Sequence, residues 1–285
     1  MTQMANALNL PRQPPSRFSR RRLAVGFGLI TIATYFNLHN RATAMTPDVK
    51  RELAPTGTLR VGINLSNFLL VTGKAANGDP VGVAPDMGAE IARRLGVPVS
   101  YVTYKTPGEL ADMAATNTWD IGLIGAEPQR AAKIAFSPAY CEIEATYIVP
   151  ASSPLKTLAD VDAAGVRIAV TARAAYGLWL ERNIKRATLV GTDTLDSATD
   201  RFLADKLEAL AGLKPKLLSD ITKIPGGKIL DGHFMTVQQA IGTARTNTAS
   251  AEWLRDFAEE AKASGLVAQL IAKHKVVGLS VAGKS

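Results

Sequence analysis

The spacing of apolar residues along the chain switches repeatedly between two periods. Leu59, Val61 and Ile63 alternate with Arg60 and Gly62, which predicts a strand over 59–63. Met87, Ile91 and Leu95 then fall four apart, one stripe of a helix over 86–95. A strand over 99–104 follows. Thr106-Pro107-Gly108-Glu109 offers a capping box with proline at the first helical position, ahead of Leu110, Met113 and Ala114 on one face. The short apolar run 121–124 reads as a buried strand. Strands and helices alternating at this spacing predict a compact α/β lobe with helices laid over largely parallel strands.

Pro150-Ala151-Ser152-Ser153-Pro154 punctuates the chain after a strand over 146–149. Beyond it the alternation resumes with a helical stretch at 158–163, a strand at 166–170, a helix over 174–184 carrying Tyr176, Leu178 and Leu180, and a strand at 188–190. Segments 195–204, 208–211 and 229–230 continue it, so a second lobe is implied. After Phe234-Met235-Thr236-Val237, a long amphipathic helix over 251–264 sets Trp253, Leu254, Phe257 and Ala261 on one side and stops at Gly265. A last apolar stretch covers 266–271.

Charge changes the picture because it is unevenly placed. The 285 residues carry 33 Lys and Arg against 25 Asp and Glu, a net charge of +8, with 47% hydrophobic residues and 1 cysteine. Collagen-like, low-complexity and disulfide-scaffold classes are excluded by that composition. An excess of +8 could point to nucleic acid or a membrane surface, but it is local. Residues 1–44 hold Arg12, Arg17, Arg20, Arg21, Arg22 and Arg41 and no Asp, Glu or Lys; without those arginines 27 basic residues face 25 acidic ones.

In that same segment Ser19-Arg20-Arg21-Arg22-Leu23 leads into a mostly apolar run over 23–38 and then Ala42-Thr43-Ala44. Charge, apolar run and small-x-small site in that order predict an export signal over 1–44, cleaved near Ala44. The paired arginines after serine resemble a twin-arginine address. The run is shorter than the roughly 20 residues needed to cross a bilayer, which favours a cleaved signal over a retained anchor or a cytosolic amphipathic arm. Cys141, alone among Phe136, Tyr140 and Ile143, reads as a small buried hydrophobe.

Several ordered motifs then resemble one family. Leu59-Arg60-Val61-Gly62, the stretch from Gly82-Val83-Ala84-Pro85-Asp86 to Leu95-Gly96, Asp120-Ile121-Gly122 ahead of Arg130, and Phe136-Ser137-Pro138-Ala139-Tyr140 are similar to the solute-binding proteins of polar amino-acid ABC transporters, solute-binding protein family 3. The resemblance covers nearly all of 55–278. It implies an α/β, two-lobed periplasmic binding protein type II fold, each lobe a sheet flanked by helices, joined by a two-segment hinge that closes over ligand. Lobe one is expected at 55–142 plus 242–285, lobe two at 150–233, and the hinge crossings at 143–149 and 234–241. Only the resemblance brings the last helix back to lobe one.

The same resemblance suggests where ligand sits. Arg130 follows the short strand and its loop, where the family pairs an arginine with the ligand carboxylate, a task that suits a planar, always charged, bidentate guanidinium; a solvated surface arginine is the bland alternative. The loop Gly125-Ala126-Glu127-Pro128-Gln129-Arg130 is about two residues shorter than the family pattern and lacks its Thr. Glu127 is expected to cap the helix at Pro128 or to pair with Arg130. Thr171-Ala172-Arg173 matches the family's strand-to-helix turn, where free backbone N–H groups favour an anion; alternatively Thr171 caps the helix and Arg173 meets water. Phe68 falls where the family lays an aromatic ring over ligand, with core packing as its alternative. The carboxylate that the family supplies for an α-ammonium has no counterpart after Glu208-Ala209 until Asp220.

The expected function is capture of a small carboxylate-bearing solute, an amino acid or related organic anion, in an interlobe cleft, and its delivery to ABC permease subunits from the periplasm. A monomer with neither cofactor nor nucleic-acid partner is expected. A dehydratase-like periplasmic enzyme on the same fold and a ligand-loaded adaptor for a membrane sensor are the alternatives. His233 and His274 stand far apart and no Gly-x-Ser-x-Gly or phosphate-cradling loop is present, which leaves a His-based or nucleophilic mechanism little support.

Overall fold

The computed structural model describes residues 45–285; the expected export signal lies outside the described residues. Helix α1 (Pro47–Leu53) is capped by the Thr46 hydroxyl, which accepts the N–H of Val49. Strand β1 (Leu59–Asn64) buries Leu59, Val61 and Ile63 fully, as its alternation predicts. The short strands β2 (Gly73–Lys74) and β3 (Pro80–Val81) precede α2 (Val83–Leu95), which starts ahead of the predicted residue 86. Its cap, Gly82, has φ +153°, and a Cβ there would lie 2.2 Å from the Leu70 carbonyl oxygen, so this turn requires glycine.

Strand β4 (Val99–Tyr104), helix α3 (Pro107–Asp112) and strand β5 (Ile121–Gly125) complete the first series. The Thr106 hydroxyl caps α3 by accepting the Glu109 N–H, while the Glu109 carboxylate reaches back to Lys105 N–H instead of closing the expected box. Arg60 clamps the entry to β5, its Nε and Nη2 on the Asp120 carboxylate at 3.0 and 2.6 Å. Helix α4 (Pro128–Ala131) and strand β6 (Ile134–Phe136) lead to β7 (Cys141–Val149).

The second series runs β8 (Arg167–Thr171), α5 (Ala175–Asn183), β9 (Thr188–Thr192), α6 (Leu195–Ala204), β10 (Ala209–Leu213), α7 (Lys214–Asp220) and β11 (Lys228–Ile229). The helix expected at 158–163 is a 3-10 turn over Leu158–Val161. It stops there because the next residue, Asp162, turns its carboxylate to the N–H groups of Lys185, Arg186 and Ala187. Strand β12 (Met235–Ala244), helices α8 (Thr248–Ala263) and α9 (Leu266–Lys273) and strand β13 (Ser280–Val281) close the chain.

One sheet carries both series, in the order β4-β1-β5-β12-β7-β10-β8-β9. β4, β1 and β5 are parallel, and so are β10, β8 and β9; the two groups meet through the antiparallel pair β12 and β7, in register from Met235 opposite Ala145 to Gln239 opposite Cys141. Both joining strands are longer than the short apolar runs predicted at their cores, because each pairs with its own group along one part, β12 with β5 and β7 with β10, and with the other joining strand along the rest. Helix α8 buries Trp253, Leu254, Phe257 and Ala258 and packs on α1 and β12, and α9 packs on α2. The end of the chain thereby returns to the first series. Cys141 is fully buried and its thiol is pushed well up by that burial, the behaviour of a core hydrophobe.

Candidate functional site

The carboxyl ends of strands from both groups converge on one chamber. From the first series come Asn64 at the end of β1, Ser66 and Asn67 just after it, Gly125 at the end of β5, and Arg130. From the second come Leu213 at the end of β10 and Ala174, Ala175 and Tyr176 at the start of α5. Joining strand β12 adds Val237 and Gln239. Open α/β sheets bind ligands at strand carboxyl ends for a physical reason: backbone groups and loop side chains there have no further strand to pair with.

Arg130 stands at the centre. Helix α4 opens with Pro128, which suits a first-turn position, and one turn on it delivers Arg130 inward, 6% exposed. Its Nη1 donates to the Gly125 carbonyl at 2.6 Å and its Nη2 to the Arg173 carbonyl at 2.7 Å. Burial pushes its pKa down to about 10, so the site holds a cation at a desolvation cost. Gly125 allows the close approach: a Cβ there would lie 3.0 Å from the Ala175 Cβ and 3.2 Å from Val237 Cγ1.

The structure brings only some of the sequence-predicted residues to this chamber. Arg130 and Gly125 line it. Ala126 does not; its N–H is held by the Gln238 carbonyl at 2.7 Å. Thr171 is buried, but its hydroxyl donates to the Thr194 carbonyl, and the residue that caps α5 is Ala174, without a side-chain bond, so Thr171 is not the helix cap. Ala172 gives its N–H to the Thr192 carbonyl. Arg173 adopts a left-handed φ of 61°, which turns its carbonyl onto Arg130, and its side chain pairs with Asp112 at 2.6 Å instead of meeting water alone. It lines a separate recess with Asp112, Lys133 and the far side of Arg130. Phe68 is 39% exposed and lies outside the chamber lining.

Glu127 takes neither expected role. It makes no side-chain cap on α4 and sits with its carboxylate 2.5 Å from Arg182 of α5, off hydrogen-bond geometry, so that Glu127 Oε2 and Arg182 Nη1 have no hydrogen-bond partner. Burial raises the Glu127 pKa, against the opposing pull of Arg182. Sequence reasoning missed Asn64, Asn67, Tyr176, Leu213 and Gln239. They lie at a strand end, in the loop after β1, at the start of α5 or on the joining strand, where no motif marks them. Burial pushes the Tyr176 hydroxyl up to about 12. Among the described residues no group of three or more His, Cys, Asp or Glu could hold a metal ion.

Residues 59–276 match the model of the bacterial extracellular solute-binding proteins, family 3, and the chain belongs to that family. Among solved structures, a mutant of ArgBP from T. maritima is 24% identical at TM-score 0.63, over 80% of this chain and 99% of that one. A putative ABC-transporter binding component from Wolinella succinogenes, complexed with lysine, is 20% identical at TM-score 0.63, over 76% and 95%. An ancestral amino acid-binding protein described as a precursor of cyclohexadienyl dehydratase is 20% identical at TM-score 0.63, over 79% and 98%. These likenesses show the type II periplasmic binding protein fold. A search of curated proteins found no match.

Proposed function

We propose that this chain captures a small carboxylate-bearing solute between its two lobes and delivers it to an ABC permease outside the cytoplasmic membrane. The observation that carries the reading is a buried guanidinium, Arg130, facing a chamber to which both strand groups contribute. Its bonds reach Gly125 in the first series and Arg173 in the second, and the lining comes from both, so a solute held there contacts both lobes and favours closure about β7 and β12. The strand order is consistent with lobes at 55–142 plus 242–285 and at 150–233. The family's extracellular character supports reading 1–44 as an export signal and the site of action as the periplasm.

Binding is favoured over the dehydratase-like alternative by the lining itself. Its two ionisable side chains are Arg130 and Tyr176, one near 10 and one near 12, and neither exchanges protons readily at neutral pH. The test is calorimetric titration of small carboxylic acids, amino acids included, into wild type and Arg130→Ala, with Arg130→Lys as a charge-retaining control. Loss of two charge-assisted bonds weakens binding roughly a hundredfold. Unchanged affinity in Arg130→Ala removes Arg130 from the site, and turnover of a bound acid replaces transport with catalysis.

A further inference from the structure

The chamber's chemistry narrows which carboxylic acids it takes; this inference rests on the binding reading above. Arg130 is the single charged residue in the lining. The strand that leads in from Glu208-Ala209 presents Leu213, 6% exposed, and no acid. The acids around that strand are committed elsewhere. Glu208 grips Arg167 at 2.8 Å, and Asp220 is buried against Thr199 and Lys216. Glu144 pairs with Lys214 at 2.6 Å. An ammonium placed against Leu213, Ala175 and Val237 is desolvated beside a guanidinium and has no carboxylate to meet.

One polar group is in the opposite position. The Gln239 side chain is 4% exposed, lines the chamber, and has no hydrogen-bond partner among the described residues. Its backbone lies opposite Gly125, whose carbonyl holds Arg130, so amide and guanidinium flank the same strand end. Asn67, 8% exposed, accepts the Leu69 N–H on its Oδ1 and leaves its amide N–H groups unused. Amides that line the chamber and are not engaged by the protein favour a ligand that completes them, and an uncharged oxygen does so without bringing a second charge.

We propose that the chamber takes a small carboxylic acid bearing an uncharged hydroxyl or oxo group, with the carboxylate on Arg130 and the second oxygen on the Gln239 amide, and discriminates against the corresponding amino acid. Gln239 is the specificity residue and Leu213 withholds the ammonium partner.

The experiment is titration of matched 2-hydroxy, 2-oxo and 2-amino acids on common carbon skeletons, from propanoate to phenylpropanoate, against the full-length protein. The hydroxy or oxo member of the best-fitting skeleton binds at least about tenfold tighter than its amino counterpart, one unfavourable ammonium burial being worth that or more. An amino acid that binds tighter overturns the inference and leaves the binding reading standing. Silence across all three series overturns the carboxylate site itself. Gln239→Met loses the preference for the second oxygen, and Gln239→Glu reverses it toward the amino acid by offering a carboxylate. A variant that melts like wild type and keeps the original order removes Gln239 as the reader; if neither variant folds, the matched series on wild type decides.

Discussion

At the scale of single residues, the buried pair Glu127 and Arg182 shows how exposure decides which partner matters. The Glu127 side chain is 3% exposed and Arg182 31%. Replacing the carboxylate by an amide, Glu127→Gln, frees Arg182 toward water and costs under about 1 kcal/mol. Arg182→Met leaves the carboxylate buried without a partner and costs about 3 kcal/mol at pH 8, as read by urea unfolding. The pH dependence has a definite sign. Burial raises the folded pKa of Glu127 above its ordinary 4.5, so over the range between the two values the folded state holds a proton that the unfolded state has lost. Stability through this group is complete below 4.5 and falls as pH climbs past the raised value. Unfolding free energies measured across that range drop more steeply in wild type than in Glu127→Gln; parallel curves contradict the assignment.

At the scale of elements, the end of β5 and the start of α5 touch at the chamber floor. Gly125 meets Ala175 and Val237 so closely that Gly125→Val drives its methyls into both. The expected outcome is a folded protein whose lobes cannot close over ligand: solute-induced thermal stabilisation is lost, while the melting temperature without solute falls by only a few degrees. Preserved stabilisation contradicts the close packing of these two elements. The Arg173 to Asp112 bridge also joins the two series, but both side chains are more than half exposed, so it sets the turn's orientation more than it adds stability.

At the scale of the whole molecule, both strand groups share a single sheet, and α8 and α9 return to the first group to seal it. Every one of these pairings lies within 45–285. A protein that begins at Met45 therefore melts with the same solute response as the full-length chain, and amino-terminal sequencing of exported protein reads from Met45. Equal response with no cleavage keeps the fold and removes the signal reading. A truncated protein that aggregates instead ties residues 1–44 to folding.

Much of this was legible in the linear chain because it is local. The alternation of Leu59, Val61 and Ile63, the cap at Thr106 and the α8 stripe of Trp253, Leu254 and Phe257 follow from periods and hydrogen bonds that span a few residues. The place of Arg130 just after a short buried strand is also a local feature, although its proposed part in binding comes from the family resemblance. What neighbours Arg130 was not. The Arg173 carbonyl on its guanidinium, Leu213 across the floor and the unpartnered amide of Gln239 come from segments tens of residues away, brought together by strand pairing that a sequence pattern does not encode. Local periodicity alone set the alternation of strands and helices. Which groups surround Arg130 emerged from the assembled chain, because burial and charge pairing are properties of the whole chamber and of no single segment.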